Sequence, residues 1–305
     1  MHAREAVPEI RSQEVVLGSV RSLLAQLIDY AGLFPPAGLG MSETVANYAS
    51  YLAEPHAWIL GRFIVPANRL AEFERAQSAI QVTTPWRLSC LIGTDLDRDL
   101  SEIARFRSGP GSAKVESIET KAQTVEQVAS LMSILPGGVT VYFEVPHDCS
   151  RELLTTVRRL GARAKLRTGG LNPDAIPETS AVGGFLAQCV FTGTPFKATA
   201  GLHHAIRHVR PLAYEAAAPC AKMHGFLNVF LAAMLAYHKV PVEQVNSAIE
   251  AEAPEYFRFE NAVARCGGVS LSTEQIQAAR EKFAVSFGSC SFEEPIEDLQ
   301  SLGLL

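Results

Sequence analysis

The segments Ala-Lys-Leu-Arg-Thr-Gly-Gly, residues 164–170, and Pro-Phe-Lys-Ala-Thr-Ala-Gly-Leu-His-His, residues 195–204, set the architecture of this chain. Each places one lysine, Lys165 or Lys197, within a short run of apolar or small residues that ends at glycine. The spacing of the two lysines is about one strand–helix repeat of a βα barrel. The pattern therefore predicts two neighbouring parallel strands, with the glycines opening the loops above them.

Two lysines on neighbouring strands would bring their ammonium groups together inside a barrel mouth. A nearby like charge and a dry site both disfavour the charged form and lower a lysine pKa. A neutral amine at pH 7 is what Schiff-base chemistry with a carbonyl group requires. The alternative is a structural one, in which each lysine reaches solvent or pairs with a carboxylate.

Composition limits the possible classes of protein. The 305 residues suffice for one large α/β barrel or two smaller domains, and 48% of them are hydrophobic. No shift in composition marks a boundary, so we expect one domain over residues 1–305. The formal net charge is −5 and basic residues form no block, so a nucleic-acid partner is not expected.

Compartment follows from the apolar runs and the cysteines. No run is long enough to span a membrane, and the amino terminus lacks the apolar core of a signal peptide. The six cysteines form no Cys-x-x-Cys pair, which is typical of reduced thiols. We therefore expect a cytoplasmic protein that has no membrane partner.

Eight strand candidates alternate with helices, which predicts a (β/α)8 TIM barrel. An amphipathic helix over residues 12–26 precedes them and is expected to cover the barrel bottom. A helical insertion at about residues 205–280, interpreted as a lid or subunit contact, precedes the last strand. It contains predicted helices at 223–235 and 242–252, and an irregular stretch or small hairpin at 256–272. The strands are predicted at residues 27–30, 57–66, 86–93, 114–121, 139–146, around Lys165, around Lys197, and at 283–291.

Carboxylates at the ends of predicted strands are candidates for acid–base chemistry. Glu144 ends the fifth strand, where it could act on substrate or hold a lysine. Asp29 ends the first strand, as an acid–base or orienting group or as a turn aspartate. The fourth strand has an open phase: either Glu116 faces inward, or Glu119 and Lys121 do.

Taken in order, these motifs resemble those of deoxyribose-phosphate aldolases and related Schiff-base aldolases. The resemblance is distant and rests on short motifs whose order and spacing agree. The matching motifs are Ile28-Asp29-Tyr30, Glu144 at the end of strand five, Lys165-Leu166-Arg167-Thr168-Gly169, Lys197-Ala198-Thr199-Ala200-Gly201 and, loosely, Gly288-Ser289-Cys290-Ser291.

The resemblance implies a lyase of aldolase type that acts on a small carbonyl substrate and needs no cofactor. It implies Lys165 as the Schiff-base lysine and Lys197 as the neighbour that lowers its pKa. A fourth-strand carboxylate would relay protons, and Glu116 is the nearest match. The substrate-binding candidates are Arg167, Thr168, Gly169, Thr199, Gly201, His203, Gly288 and Ser289.

Two departures from the aldolase pattern concern the substrate. Leu166 and Arg167 follow the sixth-strand lysine, where the family has small or hydroxyl residues. Leu202-His203-His204 stands where the family has a glycine-rich, phosphate-binding turn. The substrate is therefore expected to be small and anionic rather than necessarily phosphorylated, because Arg167 can bind a carboxylate bidentately.

Histidines provide a rival hypothesis. His203, His204, His208 and His224, with Glu119 or Glu144, could hold a divalent metal, as in metal-dependent barrel lyases or hydrolases. Adjacent histidines usually point apart, and the lysine pair puts positive charge where a cation would sit, so we expect no bound metal. A third possibility is a non-catalytic barrel that binds a small molecule or assembles with partners, including a homo-oligomer.

Overall fold

A computed structural model describes residues 16–81, 84–109 and 111–305. The predicted TIM barrel is confirmed: eight parallel strands close in the order β1-β13-β7-β6-β5-β4-β3-β2, with helices interleaved along the chain. All eight predicted strands are present, shorter than predicted at several ends. The barrel strands are β1 (Ile28–Tyr30), β2 (Leu60–Pro66), β3 (Trp86–Leu91), β4 (Ala113–Lys121), β5 (Thr140–Glu144), β6 (Arg163–Arg167), β7 (Phe196–Thr199) and β13 (Ala284–Ser289).

The helices begin where capping residues follow the strands. The side chains of Asp95, Thr124 and Ser150 each accept a hydrogen bond from the backbone N–H three residues ahead, as N-cap residues do. The helices are α1 (Gly18–Leu24), α2 (Met41–Ala53), α3 (Leu70–Ser78), α4 (Leu96–Ser108), α5 (Val125–Ile134), α6 (Arg151–Arg159), α7 (Thr179–Thr192), α8 (Phe226–Tyr237), α9 (Val242–Glu250), α10 (Thr273–Lys282) and α11 (Glu293–Ser301).

The predicted N-terminal helix over residues 12–26 is shorter in the structure. Helix α1 covers Gly18–Leu24, while residues 12–15 lie outside the described part of the chain. Leu23 and Leu24 of α1 are buried, and the helix packs mainly against α10. Because α10 leads directly into the start of β13, α1 lies beside the amino-terminal end of the barrel.

The insertion before the last barrel strand contains both predicted helices, as α8 and α9, together with short strands. Strands β8 (His208–Pro211) and β9 (Cys220–Met223) form an antiparallel ribbon. Strands β10 (Phe257–Phe259), β11 (Val263–Cys266) and β12 (Val269–Ser272) form a three-stranded sheet where a small hairpin was one of the expectations. Strands of three or four residues are too short to show a clear hydrophobic alternation, which is why the sequence pattern missed them.

Aromatic side chains fill the space between strands and helices. Phe230 of α8 packs near Phe196 and Phe287, which lie on β7 and β13. Full burial of one such ring stabilises the fold by about 1.5–3 kcal/mol. Helix α8 is therefore part of the ring around the barrel and helps to fix the lysine-bearing strand β7. Over the described residues, no helix has the length and apolar character needed to cross a membrane.

Candidate active site

The two lysines lie side by side inside the barrel, as the sequence predicted. Strands β6 and β7 pair in parallel with Lys165 opposite Lys197. Both side chains are buried, with 4% of Lys165 and 1% of Lys197 exposed. Glu119 of β4 bridges them, with Oε2 lying 3.0 Å from Lys165 Nζ and Oε1 lying 2.6 Å from Lys197 Nζ. The two amino groups therefore share a single buried carboxylate.

Strand β4 turns Glu119 inward, which resolves the open phase of the sequence. The register between β3 and β4 shifts after the Leu88–Val115 pair, so that Ser89 lies opposite Ser117 and Glu116 is the extra residue. Beyond this bulge Ser117 donates to Ser89, and Ser89 donates to Glu119 Oε1 at 2.6 Å. Lys121, two residues further on, ends mostly in solvent.

Glu116, the expected proton relay, is in the wrong place for that role. Its Oε2 lies 3.1 Å from Arg62 Nε and 2.9 Å from Arg87 Nε, and both arginines are near the starts of their strands. Glu116 therefore lies toward the amino-terminal end of the barrel, away from the lysine pair. The physical reason is the bulge, because one extra residue changes which side chains of a strand face a given layer.

Asp29 anchors Lys197 at the bottom of the lysine pair. The fully buried Asp29 accepts hydrogen bonds from Lys197 Nζ at 2.7 Å, from Ser286 Oγ at 2.8 Å and from the Arg62 backbone N–H at 2.7 Å. Burial alone would lower the pKa of Lys197, but Asp29 and Glu119 outweigh burial and raise it. Lys197 is thus held as a cation.

Glu144 is the second carboxylate on Lys165, as its position at the end of β5 predicted. Its Oε2 lies 2.9 Å from Lys165 Nζ, and its Oε1 accepts from Arg167 Nε at 3.0 Å. Burial raises the pKa of Glu144, but Lys165 and Arg167 outweigh burial and hold that pKa below its usual value. Burial would also raise the pKa of Glu119, but the positive charges of Lys197 and Lys165 outweigh burial and lower that pKa.

Lys197, which the resemblance makes the neighbour that lowers the pKa of Lys165, does not present a bare positive charge to it. Asp29 and Glu119 both contact Lys197, so its charge is shared with two carboxylates. Lys165 is likewise in contact with Glu119 and Glu144. Proton transfer from Lys165 to a neighbouring carboxylate therefore has a short path, which a bare lysine pair would not provide.

A cavity of about 700 Å³ opens above the lysine pair at the carboxyl-terminal end of the strands. Lys165, Glu119 and Glu144 line it, whereas Lys197 and Asp29 lie beneath its floor. This size and a mostly apolar wall with a few convergent polar groups are typical of small-molecule sites. Apolar wall residues include Phe34, Ile64, Ile92, Leu171, Leu212 and Met223.

Part of the wall comes from the inserted ribbon, which the sequence did not predict. Leu212 follows β8 and Met223 ends β9, and both contribute to the cavity. The ribbon thus supplies a cover over the barrel mouth, where a helical lid had been expected.

The other substrate-binding candidates divide into two groups. Arg167, Thr199, Gly201, His203 and Gly288 line the cavity. Thr168, Gly169 and Ser289 do not line it, so the structure gives those three no direct contact with a substrate there.

The residues Thr168 and Gly169 join two loops instead. Thr168 Oγ1 donates to the carbonyls of Thr199 and Ala200. A Cβ on Gly169 would lie 2.8 Å from the Cα of Gly201, so the backbones after β6 and β7 approach too closely for a side chain there. The glycines of the motif therefore fix the spacing of the two lysine strands.

His203 belongs to a cluster on the cavity wall that sequence reasoning did not assemble. Its Nδ1 lies 3.4 Å from Glu294 Oε2 and 3.8 Å from Cys290 Sγ. Burial alone would lower the pKa of His203, but Cys290 and Glu294 raise it to about 9. Cys290 also lines the cavity, and the loosely matched motif after the last strand was the one signal for it.

Of the other histidines, His204 and His208 pack edge to face, with ring centroids 4.5 Å apart. His204 Nδ1 lies 3.2 Å from Asp298 Oδ2, His208 contacts the Ile206 carbonyl, and His224 contacts the Pro177 carbonyl. Over residues 16–81, 84–109 and 111–305, no three His, Cys, Asp or Glu side chains are grouped so that they could hold a metal ion. The convergence of histidines with Glu119 or Glu144 that the rival metal hypothesis requires is therefore not present in that part of the chain.

Comparison with known proteins gives no assignment: no protein-family model matches the chain, and a search of curated proteins finds no match.

Proposed function

We propose that this protein is a lyase of aldolase type that forms a Schiff base between Lys165 and a small carbonyl substrate. The observation that supports it most directly is that Lys165 lines the cavity with two carboxylates on its amino group. Lys197 does not line the cavity, and it is linked to Lys165 through Glu119, which contacts both amino groups.

The geometry suits each proton transfer that an aldolase requires. Glu144 accepts a proton from the Lys165 ammonium, and the freed amine attacks the carbonyl carbon of the substrate. The carbinolamine loses water to give an iminium ion. In the cleavage direction, a carboxylate takes the proton of the substrate hydroxyl, the carbon–carbon bond breaks, and its electron pair moves into the iminium as an enamine. Protonation of the enamine carbon and hydrolysis by water release the second product and restore Lys165.

Lys197 is a positioning residue in this proposal. It stabilises the ionised form of Glu119, which in turn fixes the amino group of Lys165 from below. Asp29 completes the support by accepting from Lys197 and from the backbone of β2. Holding a nucleophile in one orientation is a recognised source of rate enhancement.

The cavity favours a short, partly apolar carbonyl compound with an anionic end. Arg167 lies on the wall with 46% of its side chain exposed, so its guanidinium can pair with a substrate carboxylate while Glu144 holds its Nε. At the loops after β7 and β13, His203 and Glu294 stand side by side. Glu294 offsets the charge of protonated His203 there, so a singly charged keto acid is a better candidate substrate than a doubly charged sugar phosphate.

Borohydride trapping tests the proposal. The protein is incubated with a panel of small aldehydes and 2-keto acids, reduced, and measured by intact mass and peptide mapping. We expect an adduct on Lys165 in the wild type and none in Lys165→Met at any pH. In Lys197→Met, trapping should slow at neutral pH and recover at higher pH. Without Lys197, the negative charge of Glu119 would stabilise only the Lys165 ammonium, and less neutral amine would be present at neutral pH.

The same measurement separates the rival functions. If no compound in the panel gives an adduct on Lys165, the aldolase proposal fails and a non-catalytic binding barrel becomes the better account. An adduct on surface lysines that persists in Lys165→Met would also count against the proposal. Elemental analysis that finds about one zinc or manganese per chain would favour a metal-dependent function.

A further inference from the structure

A second cavity lies at the amino-terminal end of the barrel. It has a volume of about 460 Å³ and is separate from the catalytic cavity. Four guanidinium groups line it, those of Arg21, Arg62, Arg87 and Arg280. The chain as a whole carries a net charge of −5, so four arginines around one cavity are a marked local excess of positive charge.

Carboxylates offset only part of this charge. Glu116 is shared by Arg62 and Arg87, Arg62 also lies 3.9 Å from Asp29, and Glu281 is the acidic residue on the wall itself. Arg21 lies over the Trp58 ring at 4.6 Å. Within the part of the chain that the structure describes, neither Arg21 nor Arg280 has a carboxylate oxygen within 4.0 Å.

Arg280 is the most unusual member of the group. It is only 9% exposed, and its donors reach backbone carbonyls of Ala284, Val285 and Ala25 rather than an acidic side chain. Its Nε has no hydrogen-bond partner among the described residues. Burial lowers the pKa of Arg280 to about 10, which reflects the free-energy penalty of a buried, unpaired cation. A bound anion would offset that penalty.

The orientation of Arg87 is also fixed in advance. Its Nη1 donates to Gln26 Oε1 at 2.6 Å, and its Nε is held by Glu116. Gln26 adopts a φ of 51°, a left-handed conformation that is uncommon for residues other than glycine. A strained residue that holds a binding group in place is a frequent feature of ligand sites.

We propose that this cavity binds a small dianion of the phosphate or dicarboxylate class. Planar guanidinium groups bind the oxygens of both kinds of anion in pairs, so four of them around one cavity can surround such a ligand. The inference does not depend on the aldolase proposal, because it concerns a different cavity with different residues.

Isothermal titration calorimetry with inorganic phosphate and with succinate, at constant ionic strength, tests the site. We expect about one bound anion per chain for at least one of the two. Arg87→Gln, and the double variant Arg21→Gln/Arg87→Gln, should weaken binding by about tenfold or more, since hydrogen bonds to charged groups are strong. Arg280→Gln is avoided as the main test because the buried side chain also ties α10 to β13.

Two controls locate the anion. Arg158→Gln removes one exposed arginine on α6 and should bind as the wild type does. Arg167→Gln changes the cavity that Lys165 lines and should leave the binding of inorganic phosphate unchanged, because a phosphate group is disfavoured there. If Arg158→Gln weakens anion binding as much as Arg87→Gln does, the effect comes from overall charge and the proposal fails. If Arg167→Gln abolishes binding, the anion binds in the cavity that Lys165 lines, which also contradicts the proposal. The absence of saturable binding of either anion would overturn it as well. Because no variant here touches Lys165, these outcomes are independent of borohydride trapping.

Discussion

The two ends of this barrel handle buried charge in opposite ways. Around the lysine pair, positive and negative groups alternate in contact, from Asp29 through Lys197, Glu119 and Lys165 to Glu144. At the other end, guanidinium groups gather with few acids between them. In the alternating row each charge is neutralised by its neighbours, and protons can pass between adjacent groups. A cluster of positive charges is instead stabilised when it binds an anion.

Replacement of Glu119 should cause the largest loss of folding stability and so test the difference between the two ends most directly. In Glu119→Gln both buried lysines lose a carboxylate, and the loss of one partner from a buried ion pair destabilises a protein by about 3–5 kcal/mol. In the matched variant Glu116→Gln, the lost contacts are half-exposed and the change should be about 1 kcal/mol or less. Urea unfolding monitored by circular dichroism measures both. Equal losses in the two variants would show that the ends do not differ as described.

His203 should make the stability of the carboxyl-terminal end of the barrel depend on pH. Its pKa is about 9 in the folded protein and about 6.5 when unfolded, so its protonation stabilises the fold fully below pH 6.5. That contribution, up to about 3 kcal/mol, should be lost as the pH rises from about 6.5 to 9. Urea midpoints at pH 6, 7.5 and 9.5 should fall in the wild type and fall less in His203→Gln. A parallel decline in the two proteins would rule out His203 as the source.

Arg167 should have the smallest effect, limited to the rim of the cavity that Lys165 lines. In Arg167→Ala, the KM for a 2-keto acid should rise about threefold to tenfold, because one solvent-accessible charged hydrogen bond is lost. Trapping of a neutral aldehyde of similar size should change little, and this substrate is the matched control. An equal loss for both compounds would mean that Arg167 acts through Glu144 rather than on the substrate.

The sequence predicts the barrel because its strands are buried and regularly spaced. The run ending in Glu144 and the two lysine segments each combine an apolar stretch with a turn, and parallel pairing then aligns Lys165 with Lys197. Local pattern suffices for these features because each is encoded in a few consecutive residues.

Other parts of the site depend on contacts between distant segments. Whether Glu116 or Glu119 faces the lysines depends on a bulge against β3, and alternation within β4 does not reveal the bulge. The basic cavity joins Arg21, Arg62, Arg87 and Arg280 from four separate elements. Such groupings follow only from the closed barrel, since no short motif contains them.

The alternating row also has a consequence for any attempt to assign an ionisation constant to Lys165. When neighbouring groups interact strongly, protons are gained and lost by the set, and the observed constants belong to the whole set. A bell-shaped pH–rate curve for this protein would therefore report the row as one polyprotic acid. Replacing any one member would shift both limbs of that curve, including members that never touch the substrate. The row that titrates runs from Asp29 through Lys197, Glu119 and Lys165 to Glu144, and the permanent cations Arg62 and Arg167 contact its two ends.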